Sequence, residues 1–294
     1  MPRGVPAAGF RKTKNSSSKN VVATNKIAVL NLYHAPTKET DAEIEKKLND
    51  RFTALEAMGQ ATIQGKNRAL IVSGPPGLGK SYTLMKLAES QNNKGKQIEV
   101  VRGFVRPTGL YKILYENRHK HCVVVFDDAD SIFADDICLN LLKTACDMTR
   151  DRKLSWLAET NMVDESEERI PRQFEFEGSI VFITNYDFDF LIAKGNKLAP
   201  HLEAMISRSL YLDLAMKTQR DYLVRIRQVV KLGMLRDTGM TASEEKMILD
   251  FIDKNADRLR ELSLRMVVKL GNIYRIDPKT FEASASMTCF RSRS

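Results

Sequence analysis

Gly74-Pro75-Pro76-Gly77-Leu78-Gly79-Lys80-Ser81 has the spacing GxxxxGK[ST]. It lies between a short apolar run, Ala69-Leu70-Ile71-Val72, and a segment of helical character. Glycines at these positions let successive backbone N–H groups curl around phosphate oxygens, and the helix N-terminus that follows adds its positive end. Lys80 is spaced to reach the β- and γ-phosphates and Ser81 to hold Mg²⁺, with Tyr82 counted in the same nucleotide-contacting run. No GxGxxG overlaps this segment, which argues against a dinucleotide site.

A second group is Val123-Val124-Val125-Phe126-Asp127-Asp128, an apolar strand ending in two acids. Carboxylates at the buried end of a strand need a partner, and a metal ion supplies one. Asp127 would hold Mg²⁺ through its water shell, and Asp128 would orient or deprotonate an attacking water. Taken alone, such a run is more often a strand followed by a helix cap; the glycine-rich motif upstream is what points to the metal.

These residues must be positioned by a regular frame. Ile44, Leu48, Phe52 and Leu55 step by three and four within 41–58, as on one helix face. Apolar runs near 69–72, 98–101, 123–126 and 180–184 alternate with helical patterns from Ser81, around 110–115 and around 137–148. That alternation predicts an α/β fold with a mostly parallel sheet flanked by helices. Beyond Leu214 only helices are expected. One carries Leu223, Ile226 and Val230; another opens on a Thr241/Glu244 capping box and carries Ile248, Phe251 and Ile252; the last begins near Ser263 with Met266, Val267 and Leu270. The resulting division is a disordered basic arm at 1–25, the nucleotide-binding unit at 26–214, a helical lid at 215–276 and a flexible tail at 277–294.

Composition bounds the rest. The chain has 294 residues, is 43% apolar and carries a formal charge of +9. Arg3, Arg11, Lys12, Lys14, Lys19 and Lys26 lie in a stretch without acids, so most of that charge is at the N-terminus. Such an arm can follow nucleic-acid phosphates or serve only as a solvated tail. No apolar run approaches a membrane span, and no signal-peptide pattern opens the chain. The four cysteines form no CxxC pair, and the four histidines show no metal-site spacing. A cytoplasmic protein, in a host cytoplasm if viral, is expected.

With both motifs in place the chain resembles the AAA+ ATPases over about residues 40–275. In that family's order, Asn185 after the strand Ile180-Val181-Phe182-Ile183-Thr184 matches sensor 1, which reaches the γ-phosphate and the water. Arg208, in Met205-Ile206-Ser207-Arg208-Ser209, matches the arginine finger that enters a neighbour's site. Arg265, in Leu262-Ser263-Leu264-Arg265, matches sensor 2 on the lid. The resemblance implies a P-loop NTPase fold, Mg-ATP as ligand, ATP hydrolysis at subunit interfaces and a homo-oligomeric ring, a hexamer among its forms. Many members carry Asp-Glu where this chain has Asp127-Asp128, and the shorter second acid predicts slower turnover. The pattern is most similar to AAA-type ATPases encoded by bacteriophages.

Two further segments stand out. Lys153 to Leu157 and Ile170 to Phe176 are set to pair as a hairpin around the acidic loop Asp164-Glu165-Ser166-Glu167-Glu168. Its position resembles the pre-sensor-1 hairpin of Holliday-junction motors and replicative helicases, though the loop's acidity speaks against direct DNA contact and a plain solvent-facing loop is the alternative. Phe104 and Arg106, in Gly103-Phe104-Val105-Arg106, either grip a threaded strand or polypeptide or, for Phe104, tuck into the core. The leading expectation is remodelling of DNA or nucleoprotein in replication, recombination or helicase loading. A protein-remodelling chaperone and a monomeric P-loop kinase of nucleotides or bases remain as alternatives.

Overall fold

The computed structural model describes residues 39–92, 95–148, 151–158 and 162–292. The arm at 1–25 lies outside them.

The chain enters through helix α1 (Asp41–Ile63), opened by a capping box in which the Glu43 N–H donates to Thr40 Oγ1 and the Thr40 N–H to the Glu43 carboxylate. Its Ile44, Leu48, Phe52 and Leu55 are buried, as their spacing requires. Strand β1 (Ala69–Ser73) follows and then α2 (Lys80–Asn92), β2 (Gln97–Arg102), α3 (Pro107–Glu116) and β3 (Cys122–Asp127). A short 3₁₀ turn (Asp130–Phe133) leads to α4 (Asp136–Ala145), which stops three residues before the expected end at Met148. The small strands β4 (Lys153–Ser155) and β5 (Gln173–Glu175) come next, then β6 (Ser179–Thr184), α5 (Phe188–Ala193), α6 (Ala199–Arg208) and β7 (Leu210–Asp213).

Five of these strands form one parallel sheet in the order β2-β3-β6-β1-β7. Strands β1, β3 and β6 are buried along their whole length, because helices cover both faces and leave no solvent side for polar residues to alternate onto. One face packs on Leu110, Tyr111, Phe133, Leu142 and Phe188. The other packs on Leu48, Phe52, Leu55, Leu78 and Leu84. The C-terminal ends of β1, β3 and β6 therefore open on one edge, where ligands bind in open parallel sheets. The segments 153–157 and 170–176 do pair as an antiparallel hairpin, anchored by Trp156 against Tyr111. Among the described residues no helix is long and apolar enough to cross a membrane.

The last part is helical: α7 (Gln219–Lys231), α8 (Ala242–Asn255), α9 (Leu264–Ile276) and α10 (Phe281–Cys289), around a core of Ile226, Ile248, Val267 and Leu270. The tail at 277–294, expected to be flexible, instead contains α10. Its Phe281, Ala285 and Cys289 recur every four residues and are buried in that core, with Phe281 edge-on to Phe251. The small residues between them hide an amphipathic helix. A second feature without a counterpart in the expectations is β7, which pairs with β1 and extends the sheet.

Candidate functional site

The glycine-rich turn leaves β1 at Ser73 and reaches α2 at Lys80. Gly74, Gly77 and Gly79 have φ values of 151°, 76° and 96°, a sequence of turns that side chains with a Cβ would resist. The resulting backbone concavity is closed by Lys80, which is 5% exposed. Its Nζ donates to Gly74 O at 2.5 Å, Pro75 O at 2.9 Å and Asn185 Oδ1 at 3.1 Å. Burial lowers the Lys80 pKa to about 8, offset in part by the charges of Asp128, Asp130 and Asp127, while Arg265 pushes the same way as burial. The ammonium is held by neutral carbonyls and lacks a contacting anion among the described residues, which suits it to meet phosphate.

Strand β3 delivers the acids. Ser81 Oγ donates to Asp127 Oδ1 at 2.6 Å, so a hydroxyl and a carboxylate converge as an oxygen donor pair of the kind Mg²⁺ takes. Residues and ligand fit: the glycine nest, the lysine and this pair supply anion and cation positions side by side. Asp128 turns away into the left-handed region at φ 56°, with its N–H donating to Ile183 O at 3.1 Å and its side chain exposed. Asn185 Nδ2 donates to Asp128 Oδ1 at 2.8 Å. One amide thus joins the lysine to the second acid.

Two residues here escape the sequence reading. Arg102, last in β2, is in register with Asp127, and its Nε donates to Asp127 Oδ2 at 3.0 Å. Asp130 accepts from Thr184 Oγ1 at 2.5 Å and from the Asn185 backbone, and burial raises its pKa. It braces the turn that presents Asn185. The segment Asp127-Asp128-Ala129-Asp130 does contain the signal for Asp130, a third acid one turn beyond the strand.

The start of α9, in the C-terminal helical part, packs against the turn. Ser263 caps α9 by accepting from the Met266 N–H at 3.1 Å, and the Leu264 N–H donates to Gly77 O at 2.8 Å. A Cβ on Gly77 would stand 2.6 Å from Ser263 Cβ. Arg265, exposed in the first turn of α9, lies near enough to Lys80 for its charge to lower the lysine's pKa. Tyr82 projects outward, 70% exposed. Arg208 is not brought to this cluster: Nη1 donates to Ala204 O at 3.0 Å and Nε lies 3.5 Å from Asp147 Oδ2. Phe104 does not tuck into the core but is 78% exposed beyond Gly103, and Arg106 is exposed too.

A parallel sheet in this order, with a phosphate-cradling turn after β1 and an acid pair after β3, defines a P-loop fold. Residues 70–183 match the family described as ATPase family associated with various cellular activities (AAA). An uncharacterized 36.7 kDa protein from the nrdC–mobD intergenic region of Enterobacteria phage T4 is 37% identical over 251 residues, covering 85% of this chain and 76% of its own. The chain belongs to the AAA family, in a form shared with a bacteriophage protein. Among solved structures, NtrX from Brucella abortus in complex with ATP gives a TM-score of 0.50 at 10% identity, over 88% of this chain and 56% of its own. A point mutant of RuvB from Thermotoga maritima gives 0.46 at 15%, over 83% and 70%. At 10% identity the likeness to NtrX is one of fold alone.

Proposed function

We propose that this protein is an ATPase that binds Mg-ATP in the turn 74–81 and hydrolyses it at the interface between two copies, to remodel DNA or nucleoprotein. The observation that supports the proposal is the hydrogen-bond chain Lys80–Asn185–Asp128, in which Lys80 would meet phosphate, Asn185 would act as a polar relay and Asp128 would activate water. Ser81 and, through water, Asp127 would hold Mg²⁺, which would supply positive charge against the phosphates. Asp128 would accept the proton of the attacking water, with Asn185 fixing its carboxylate. Arg265 would reach the same phosphates from the lid.

Arg208, engaged on Asp147 rather than on its own site, fits donation to a neighbouring copy. The basic stretch from Arg3 to Lys26 favours nucleic acid as the remodelled partner. The exposed Phe104 would serve a threaded strand or, in the second reading, a threaded polypeptide. Salt-sensitive DNA binding separates the two.

A mixing experiment tests the interface. Arg208→Ala should bind ATP almost normally and hydrolyse it poorly, because fingers act in the transition state and are worth ~10³–10⁵ in rate. Lys80→Ala should fail to bind. Mixed and co-assembled, the two should regain partial activity at interfaces joining an intact Lys80 site to an intact Arg208. A co-assembled mixture no more active than its parts would rule out the donated arginine.

A further inference from the structure

Arg225, on the buried face of lid helix α7, is 8% exposed. Its guanidinium carbon lies 3.4 Å from the centroid of the Phe52 ring on α1, and Nη1 donates to Gln228 Oε1 at 2.8 Å. Gln228 in turn donates to Asn49 Oδ1. The Nε is buried and has no hydrogen-bond partner. Among the described residues no carboxylate contacts the guanidinium; Glu56 acts on it only through space, and burial lowers its pKa to about 10. A buried cation left in this condition is costly, and the usual remedy is an anion with its own hydrogen-bond acceptors.

The position of Arg225 says which anion. A Cβ on Gly79 would stand 3.9 Å from Arg225 Nη2 and 3.4 Å from Leu264 Cδ1, so the guanidinium abuts the last glycine of the phosphate-binding turn. The lid thereby brings an unpaired arginine against the backbone that cradles phosphate. Arg265 is exposed at the start of a different helix, so the two arginines approach from separate elements.

We propose that Arg225 is a nucleotide-binding residue of the lid, whose guanidinium is completed by a phosphate oxygen of the nucleotide held in the turn 74–81. The proposal rests on the reading of that turn as an ATP site. Binding would then satisfy the lid and the turn together, and α7 would register occupancy from within the core rather than from the surface.

The test is calorimetric titration of the full chain with Mg-ATP, alongside thermal unfolding without nucleotide. Arg225→Met keeps the stem against Phe52 and removes the charge, so the nucleotide-free protein should melt at or above the wild-type temperature. Its ATP affinity should fall roughly ten- to a hundredfold, the worth of a charge-assisted hydrogen bond. Arg225→Lys keeps charge but loses Nε and the planar fork, and should fall between the two. ATP affinity within twofold of wild type in both variants, or a lowered melting temperature with unchanged affinity, would overturn the proposal and leave Arg225 a packing residue. Absence of Lys80-dependent ATP binding in the wild type would instead overturn the reading of the turn itself, and this inference with it.

Discussion

Lys80 offers the sharpest quantitative test, because its proton and its ligand are linked. In the free protein its pKa is lowered to about 8, chiefly by burial. Phosphate binds the protonated form and, once bound, holds the proton in place. The sign follows: affinity is complete below that pKa and is lost as pH rises through it, since binding must then return a proton to the amine. For a site titrating near 8, nucleotide affinity should fall roughly tenfold between pH ~7 and pH ~9, equivalent to about 1.4 kcal/mol. Proton uptake at pH ~8 should be about half an equivalent. Metal-free ADP, titrated calorimetrically in two buffers of different ionisation enthalpy, reads both quantities without interference from metal hydrolysis. Arg265→Ala should move the midpoint up and Asp128→Asn should move it down, because those charges act on Lys80 in opposite directions. Constant affinity to pH ~9 with no buffer-dependent heat would refute the reasoning.

Asp128→Asn should retain Mg-ATP binding and lose turnover, since an amide cannot take the water's proton while Ser81 and Asp127 stay in place; wild-type turnover in a phosphate-release assay would remove Asp128 from the chemistry. Gly77→Ala should destabilise the nucleotide-free protein by roughly 2–3 kcal/mol, combining the cost of a Cβ at φ 76° with the disturbed Ser263 cap. An unchanged melting temperature would mean that the lid does not dock on the turn.

Much of this arrangement is legible in the sequence because it is written locally. The runs at 69–72, 123–126 and 180–184 are continuous and apolar, as strands buried on both faces must be, and the glycine spacing has few other uses. What escapes depends on pairing between distant segments. Arg102 has no local signature as the final residue of an edge strand, and only the β2–β3 register sets it on Asp127. Strand β7 is four residues long and only partly buried, too short to announce itself beside α6. In α7 the expected Ile226 and Val230 are buried, but the buried face extends beyond them. The buried set includes Tyr222, Arg225 and Gln228 because the helix wedges between α1 and the rest of the lid, and Leu223 is only partly covered. Periodicity counts apolar residues and is blind to a buried arginine.

The left-handed backbone at Asp128 bears on which acids this corner admits. Aspartate and asparagine are among the few residues with side chains that occupy that conformation readily, while longer side chains incur a cost of roughly 1–2 kcal/mol. Exchanging Asp128 for glutamate, the acid many relatives use, would look conservative by charge and generous in reach. Here it would give up that backbone preference and shift the carboxylate from the position at which it accepts from Asn185 Nδ2. The shorter acid is thus matched to the curvature of its own main chain, and lengthening it calls for a second change that relaxes the turn.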